Sequence, residues 1–301
     1  MTTAEFGVNC AAATPVDRDG ALRLDLFSAH CKALLEEGCH GIALLGTTGE
    51  ANSFSVAERK ALLESALEAG IRGDQLLPGT SSCNLSDTIK LTRHAVQAGA
   101  KACVLLPPFY YKGVSDEGLF RFFANAIEGV AEERLRVILY HIPQVTQVPI
   151  SHDLIARLRD AFPDVVVGIK DSAGEISNMT AMVERFPGFA VLAGADPLLL
   201  PLLQSGGAGC ITATSNLRAD ALRVIWDNWC DPNAQAKVAA AQDRVNDWRS
   251  LSNTYVQLPT VKTMLSRSRE NEAWRNLRAP FVPLSDDEAS VVWTQMEQLN
   301  G

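Results

Sequence analysis

Residues 165–170 read Val165-Val166-Val167-Gly168-Ile169-Lys170, an apolar, largely β-branched run that ends on one basic side chain. A continuous run of this kind predicts a strand covered on both faces, as in a parallel sheet, with its last side chain emerging at the carboxyl edge. That edge is where α/β folds do their chemistry. An amine walled there by aliphatic residues is poorly solvated as ammonium, which favours the neutral form that attacks a carbonyl. Lys170 is therefore the candidate Schiff-base nucleophile, and the simpler alternative for this segment alone is a lysine that turns to water or pairs with Asp171.

Outward from this run, short apolar or β-branched stretches recur at 8–12, 42–45, 76–78, 102–106, 136–140, 190–193 and 210–213, giving eight candidate strands in all. Between them apolar residues repeat at spacings of three or four: Leu24, Phe27, Cys31, Leu34 and Leu35; then Leu119, Phe122, Phe123 and Ala126; then Ile176, Met179, Val183 and Phe186. Start signals agree with helices here. Ser55 and Glu58 form a capping-box pattern, Ser151 suits an N-cap and Pro197 suits a first helical turn. Eight strands alternating with helices over about 225 residues predict a (β/α)8 TIM barrel. A doubly wound open sheet is the alternative, but it wants a Gly-x-Gly-x-x-Gly turn after an early strand, and Gly46-Thr47-Thr48-Gly49-Glu50 is not one.

Past about residue 219 no strand pattern returns, and 222–229, 234–251, 259–268 and 286–299 read as helices. The expected division is a barrel over 1–225 carrying the active site and a C-terminal helical domain over 226–301. Trp226, Trp229, Trp248, Trp274 and Trp293 all lie in the latter and are expected to pack helix on helix.

The net charge of -8, with both signs interspersed, argues against a nucleic-acid or anionic-membrane surface and for small-molecule chemistry. Residues 1–19 lack a basic segment followed by an apolar core, and no apolar stretch approaches the ~20 residues of a membrane helix, so a soluble cytoplasmic protein is expected. Seven cysteines without a Cys-x-x-Cys pair fit reduced thiols. The nearest approach to a metal signature is His30-Cys31 with Cys39-His40, but Cys31 shares the apolar helix face of Phe27 and Leu34 and reads better as a packed thiol.

In a barrel, residues that follow each strand converge on one mouth. Gly46-Thr47-Thr48-Gly49 offers two hydroxyls between glycines, whose exposed backbone N–H groups bind a carboxylate without a countercharge. Tyr140 ends the fifth candidate strand and is suited to shuttling protons at a carbinolamine on Lys170. Pro107-Pro108-Phe109-Tyr110-Tyr111 is a rigid aromatic loop, either a rim contact or a subunit interface. Taken singly, each has a plainer reading: a Ser/Thr-rich turn, a half-buried tyrosine, and surface packing.

Taken together, Gly46-Thr47-Thr48-Gly49-Glu50, Tyr110-Tyr111, Tyr140 followed by Ile142-Pro143, Gly168-Ile169-Lys170, and Gly206-Gly207-Ala208-Gly209-Cys210-Ile211 resemble the signature of the dihydrodipicolinate synthase/N-acetylneuraminate lyase family. Order and spacing match from about residue 7 to the carboxyl terminus. The resemblance implies a pyruvate-type class I aldolase or lyase on a (β/α)8 barrel with a helical C-terminal domain, a homotetramer built as a dimer of tight dimers, and no metal or organic cofactor. By motif position it implies that Lys170 forms the imine with a 2-oxo acid and that Thr47 and Thr48, with the Gly46 backbone, hold its carboxylate. Tyr140 relays protons, Tyr111 reaches across the tight-dimer interface to complete a hydroxyl relay, and Gly194 and Ile211 line the oxo acid.

In the synthase branch an arginine that binds a carboxylate follows the strand-five tyrosine; here Val145 holds that place, and valine cannot make the bidentate contact. The expected reaction is therefore aldol formation, cleavage or dehydration through a lysine enamine, with pyruvate and an aldehyde-type second substrate. His141 and Gln144 are candidate contacts for that partner or structural hydrogen-bonders, and Lys112 is a candidate replacement cation. The alternatives are 4-hydroxy-tetrahydrodipicolinate synthase, acting on pyruvate and aspartate semialdehyde, and a non-catalytic 2-oxo-acid-binding protein.

Overall fold

The computed structural model describes residues 6–300. Residues 1–5, part of the stretch read for a targeting signal, and Gly301 lie outside the described residues. Seven parallel strands form one sheet: β1 (Gly7–Ala11), β2 (Gly41–Ala43), β3 (Cys103–Leu105), β4 (Val137–His141), β5 (Val166–Asp171), β6 (Ala190–Ala193) and β7 (Gly209–Thr212). Their order is β2-β1-β7-β6-β5-β4-β3, so β2 and β3 are the free ends.

The stretch read as a strand at 76–78 joins those ends, but not as a regular strand. Leu77 N donates to Ile42 O at 2.9 Å and Gly79 N to Leu44 O at 2.8 Å on the β2 side. On the other side Val104 N donates to Pro78 O at 2.9 Å and Thr80 N to Val104 O at 3.2 Å. Pro78 has no N–H, so the rung it would supply toward β3 is missing and pairing is reduced to isolated bridges. Gly79 is also required by space, since a Cβ there would lie 2.2 Å from Leu45 O. The result is a (β/α)8 barrel whose eighth wall position is held by this irregular segment.

Inward and outward faces of the wall are both apolar, which explains why the strand runs do not alternate with polar residues. Ala11, Ala43, Leu77, Val104, Ile138 and Leu192 fill the interior. Val8, Cys10, Leu139, Val166, Ile169 and Val191 pack outward against the helices. Burying each such aliphatic side chain is worth roughly 1.5–3 kcal/mol. The helices expected from periodicity form at Leu24–Glu36, Asp116–Val130 and Ile176–Arg185. Ser55 makes its capping box with Glu58, and Ser151 accepts from Leu154 N.

The helix read at 222–229 begins earlier: Ser215–Asn228 runs through residue 225, with non-helical angles at Arg218. Helices Gln235–Ser252, Gln257–Ser268 and Asp286–Asn300 follow. They share a small second core of Trp248, Leu251, Met264, Leu284, Val292 and Met296. Val261 and Leu265 also pack on Trp274 and on Ala13, just beyond β1, so these helices lean on the barrel mouth. No helix among the described residues is long and apolar enough to cross a membrane.

The four residues weighed as a metal pair point elsewhere. Cys31 and Cys39 are packed in the outer core, His30 meets Asn216 Oδ1 at 3.0 Å, and His40 Nδ1 accepts from Val8 N at 3.0 Å.

Candidate active site

Lys170 is not the last residue of its strand; Asp171 is. What aims the amine is a bulge. Val137 pairs with Val166, but Ile138 pairs with Gly168, so β5 carries one extra residue against β4. Val166 faces outward, and without the bulge Ile169, three residues on, would face inward; instead both pack in the outer core. The inside-outside phase is reversed, and Lys170 enters the barrel between Tyr140 on β4 and Leu192 on β6, its register partners. Gly168 accommodates this bend beside β6, where a Cβ would lie 2.6 Å from Ala190 O.

Lys170 is 5% exposed, and its Nζ stands 4.2 Å from the ring centroid of Tyr140. Pairing with Asp171 does not form, because that carboxylate faces outward and accepts from Ala173 N at 2.8 Å and Asn178 Nδ2 at 2.7 Å. Tyr140 is buried, and its hydroxyl lies 3.4 Å from Thr47 Oγ1. Burial pushes this phenol up, but the Lys170 charge and hydrogen bonding with Thr47, Ser172 and Lys170 outweigh it, leaving Tyr140 below its ordinary range.

Thr47 is exposed on a loop whose shape is forced at both ends: Leu45 and Glu50, neither a glycine, have φ of 59° and 53°. Such left-handed backbone costs of order 1–3 kcal/mol per residue and persists only where surroundings over-determine it. A cavity opens beside the Thr47–Tyr140 pair, lined among others by Gly46, Asn52, Arg59, Ser81 and Leu106. Arg59 donates to Ser81 O and Gly79 O, both at 2.9 Å, and burial brings it down to about 10.

Just past β6, Gly194 N donates to Asp171 O at 2.7 Å, and a Cβ on Gly194 would meet Ser172 Oγ at 1.9 Å. Ile211 is inward and 1% exposed. Lys170, Tyr140, Thr47, Gly46, Gly194 and Ile211 thus belong to one end of the barrel, with Thr48 half-buried next to Thr47. Tyr111 and Val145 stand apart at the rim, 71% and 59% exposed. Tyr110 and Tyr111 pack edge to face at 5.2 Å.

Of the two side chains weighed as second-substrate contacts, His141 is buried on the outward face, where its Nδ1 accepts from Ile150 N at 3.1 Å. It is a structural hydrogen-bonder. Gln144 stays at the mouth and donates to Ser172 O at 2.6 Å. Lys112 donates to Phe109 O and, at 2.7 Å, to Thr146 O, the carbonyl one residue beyond Val145. Ser172 was missed by the sequence reading, although its position two residues after Lys170 on a mouth loop was an available signal.

Comparisons with known proteins agree with this geometry. Residues 5–299 match the model of the dihydrodipicolinate synthetase family. The chain is 33% identical over 295 residues to an uncharacterised DapA-like lyase of Chloroflexus aurantiacus, covering 97% of this chain and 96% of that protein. It is 32% identical over 285 residues to 4-hydroxy-tetrahydrodipicolinate synthase of Bacillus subtilis, covering 94% and 96%. Among solved structures, dihydrodipicolinate synthase of Agrobacterium tumefaciens superimposes with a TM-score of 0.90 at 31% identity, covering 98% and 99%. YagE of Escherichia coli K12, a prophage protein solved in complex with pyruvate, gives 0.90 at 27% identity, covering 98% of each chain. With the family model spanning nearly all residues and the inward lysine and tyrosine in place, the chain belongs to the dihydrodipicolinate synthetase family and is a lyase of the class I aldolase type.

Proposed function

We propose that this enzyme condenses Lys170 with a pyruvate-type 2-oxo acid and makes or breaks a carbon–carbon bond, or eliminates water, through the resulting enamine. The observation that carries the reading is the buried Lys170 amine set 4.2 Å from the ring of Tyr140, whose hydroxyl faces Thr47. The Lys170 amine attacks the C2 carbonyl, and a proton passes from its nitrogen to the former carbonyl oxygen to give a carbinolamine. Tyr140 donates its proton to the carbinolamine oxygen, which leaves as water, and the C=N bond forms. The protonated imine then accepts the electrons released when the Tyr140 phenolate takes a C3 proton, giving an enamine rather than a localised carbanion. The enamine attacks an aldehyde carbon while Tyr140 gives its proton to the aldehyde oxygen, and hydrolysis of the new imine frees Lys170. Cleavage is the same sequence reversed.

In this reading Thr47, Thr48 and the Gly46 backbone hold the oxo-acid carboxylate, while Gly194 and Ile211 wall its carbon chain. Tyr111 serves the site of a second copy. Exposed Tyr110, Tyr111, Val114 and Val145 together make an apolar rim that suits an interface between copies of this chain. The partner subunit's Tyr111 would complete the relay with Thr47 and Tyr140 in a dimer of tight dimers.

A second reading, 4-hydroxy-tetrahydrodipicolinate synthase, is favoured by Lys112. Its ammonium, on the carbonyl one residue beyond Val145, offers a cation for the carboxylate of aspartate semialdehyde at the entrance.

Intact mass after incubation with pyruvate and borohydride tests the imine. A pyruvyl adduct that maps to Lys170 is expected; no adduct on folded protein, with pyruvate or longer 2-oxo acids, overturns the reading. Turnover of pyruvate with aspartate semialdehyde, lost in Lys112→Met, would select the second reading over the first.

A further inference from the structure

The chain beyond residue 256 sends one cation onto the loop that carries Thr47 and Thr48 and a second onto the turn that follows it. Lys262, on the helix Gln257–Ser268, is completely buried, and its Nζ donates to Glu50 Oε1 at 2.7 Å and to Thr14 O at 2.8 Å. Glu50 closes the Gly-Thr-Thr-Gly loop in left-handed conformation, and its side chain is equally buried. Its second carboxylate oxygen accepts from Arg278 N at 3.4 Å. The Arg278 side chain then grips the next turn, donating to Ser53 O at 2.8 Å, to Gly20 O at 2.7 Å and to the Glu58 carboxylate, and stacking over Phe54. From the barrel side, Thr14 Oγ1 donates to Gly49 O at 2.9 Å. Residues 49–58 are thus held between the β1 loop and the chain beyond residue 256.

A buried ion pair is weak evidence for stability, because removing two charges from water offsets their attraction and an apolar pair of similar volume often serves as well. What the charges add is direction. Burial pushes the Lys262 amine down and Glu50 opposes that fall, while Lys262 Nζ and Arg278 N each hold one oxygen of the Glu50 carboxylate. The residue held in this way is the one at φ 53° that closes the Thr47–Thr48 loop.

We propose that Lys262 and Glu50 are positioning residues: the C-terminal helices lock the 46–50 loop in the geometry that receives the oxo-acid carboxylate, so the helical region is part of the substrate site without touching substrate. This rests on the oxo-acid reading above. A single change leaves one charge buried and alone, so the test uses Glu50→Gln/Lys262→Met, which removes both charges at nearly constant volume.

Hydrogen exchange of a peptide covering 45–54 should rise about tenfold or more in the double variant, while that of 166–171 stays as in wild type. The pyruvate concentration for half-maximal borohydride trapping should rise about tenfold, with trapping at saturation changed far less. Equal exchange in both proteins, a parallel rise in both peptides, or a looser loop with unchanged half-saturation would each overturn the inference. Wild-type protein that traps no oxo acid would sink the oxo-acid reading, and the lock on the loop would then stand or fall on the exchange result.

Discussion

Two loops bring hydroxyls to the barrel mouth, and they are held in opposite ways. The 46–50 loop is tied within its own chain, through Thr14 to Gly49 and through Glu50 to Lys262. The aromatic loop around Tyr110 and Tyr111 leaves both rings more than two-thirds exposed and is fastened to the neighbouring loop by Lys112. A loop whose polar groups are satisfied internally can be preorganised in one subunit. A loop that presents bare aromatic surface is complete only against something else, and in the proposed reading that is a second copy.

The contrast orders the expected effects. Lys170→Ala should give no pyruvyl adduct and no turnover, whatever the state of assembly, measured by intact mass and aldol assay. The same change removes one of the groups that hold Tyr140 down, leaving Thr47 and Ser172, so its phenol should move up, read by ultraviolet difference titration of wild type against variant. A Tyr140 titration that does not move would mean the two groups are less coupled than their contact indicates.

Tyr140→Phe should cost about 10²–10⁴ in turnover at any protein concentration, the usual range for a positioned acid–base group. Tyr111→Phe should cost less, about 10²-fold, and only Tyr111 should be linked to assembly. Diluting wild type until light scattering reports monomer should reproduce the Tyr111→Phe loss. If dilute monomer keeps full activity, the cross-subunit role is wrong while the imine chemistry stands.

The smallest effect concerns the grip on the 49–58 segment. Glu58 is brought to about 2, chiefly by its hydrogen bonds from Arg278, so it contributes stability in full above its ordinary value near 4.5. That contribution fades as pH falls from about 4.5 toward about 2. Glu58→Gln should unfold at lower temperature than wild type at pH 7, by roughly 1 kcal/mol or less for so accessible a pair. The gap should close on acidification; a gap constant with pH would show that Arg278 does not act through this carboxylate.

Much of the barrel was legible because each strand and helix advertises itself locally. The eighth position was legible only as apolar composition, since Pro78 breaks the ladder that would have made it a regular strand. Lys170, Tyr140 and the threonine loop were readable as chemistry-bearing residues at strand ends. Ser172 carried only its place two residues after Lys170, and Arg59 carried no comparable pattern, because an arginine in a helix is ordinary in sequence. His141 could be read either way until its Nδ1 was found on Ile150 N.

Sequence alone therefore determined the alternation of elements, the presence of an amine at the end of a buried strand, and the hydroxyls near it, because periodicity and residue type are local properties. Two matters were left to the tertiary structure. The bulge at β5 reverses which side chains face inward, and nothing in Val165-Val166-Val167-Gly168-Ile169, apolar on both faces, reports that reversal. The pairing of Glu50 with Lys262 spans 212 residues and depends on a distant helix docking at the mouth, a contact that only the packed chain creates.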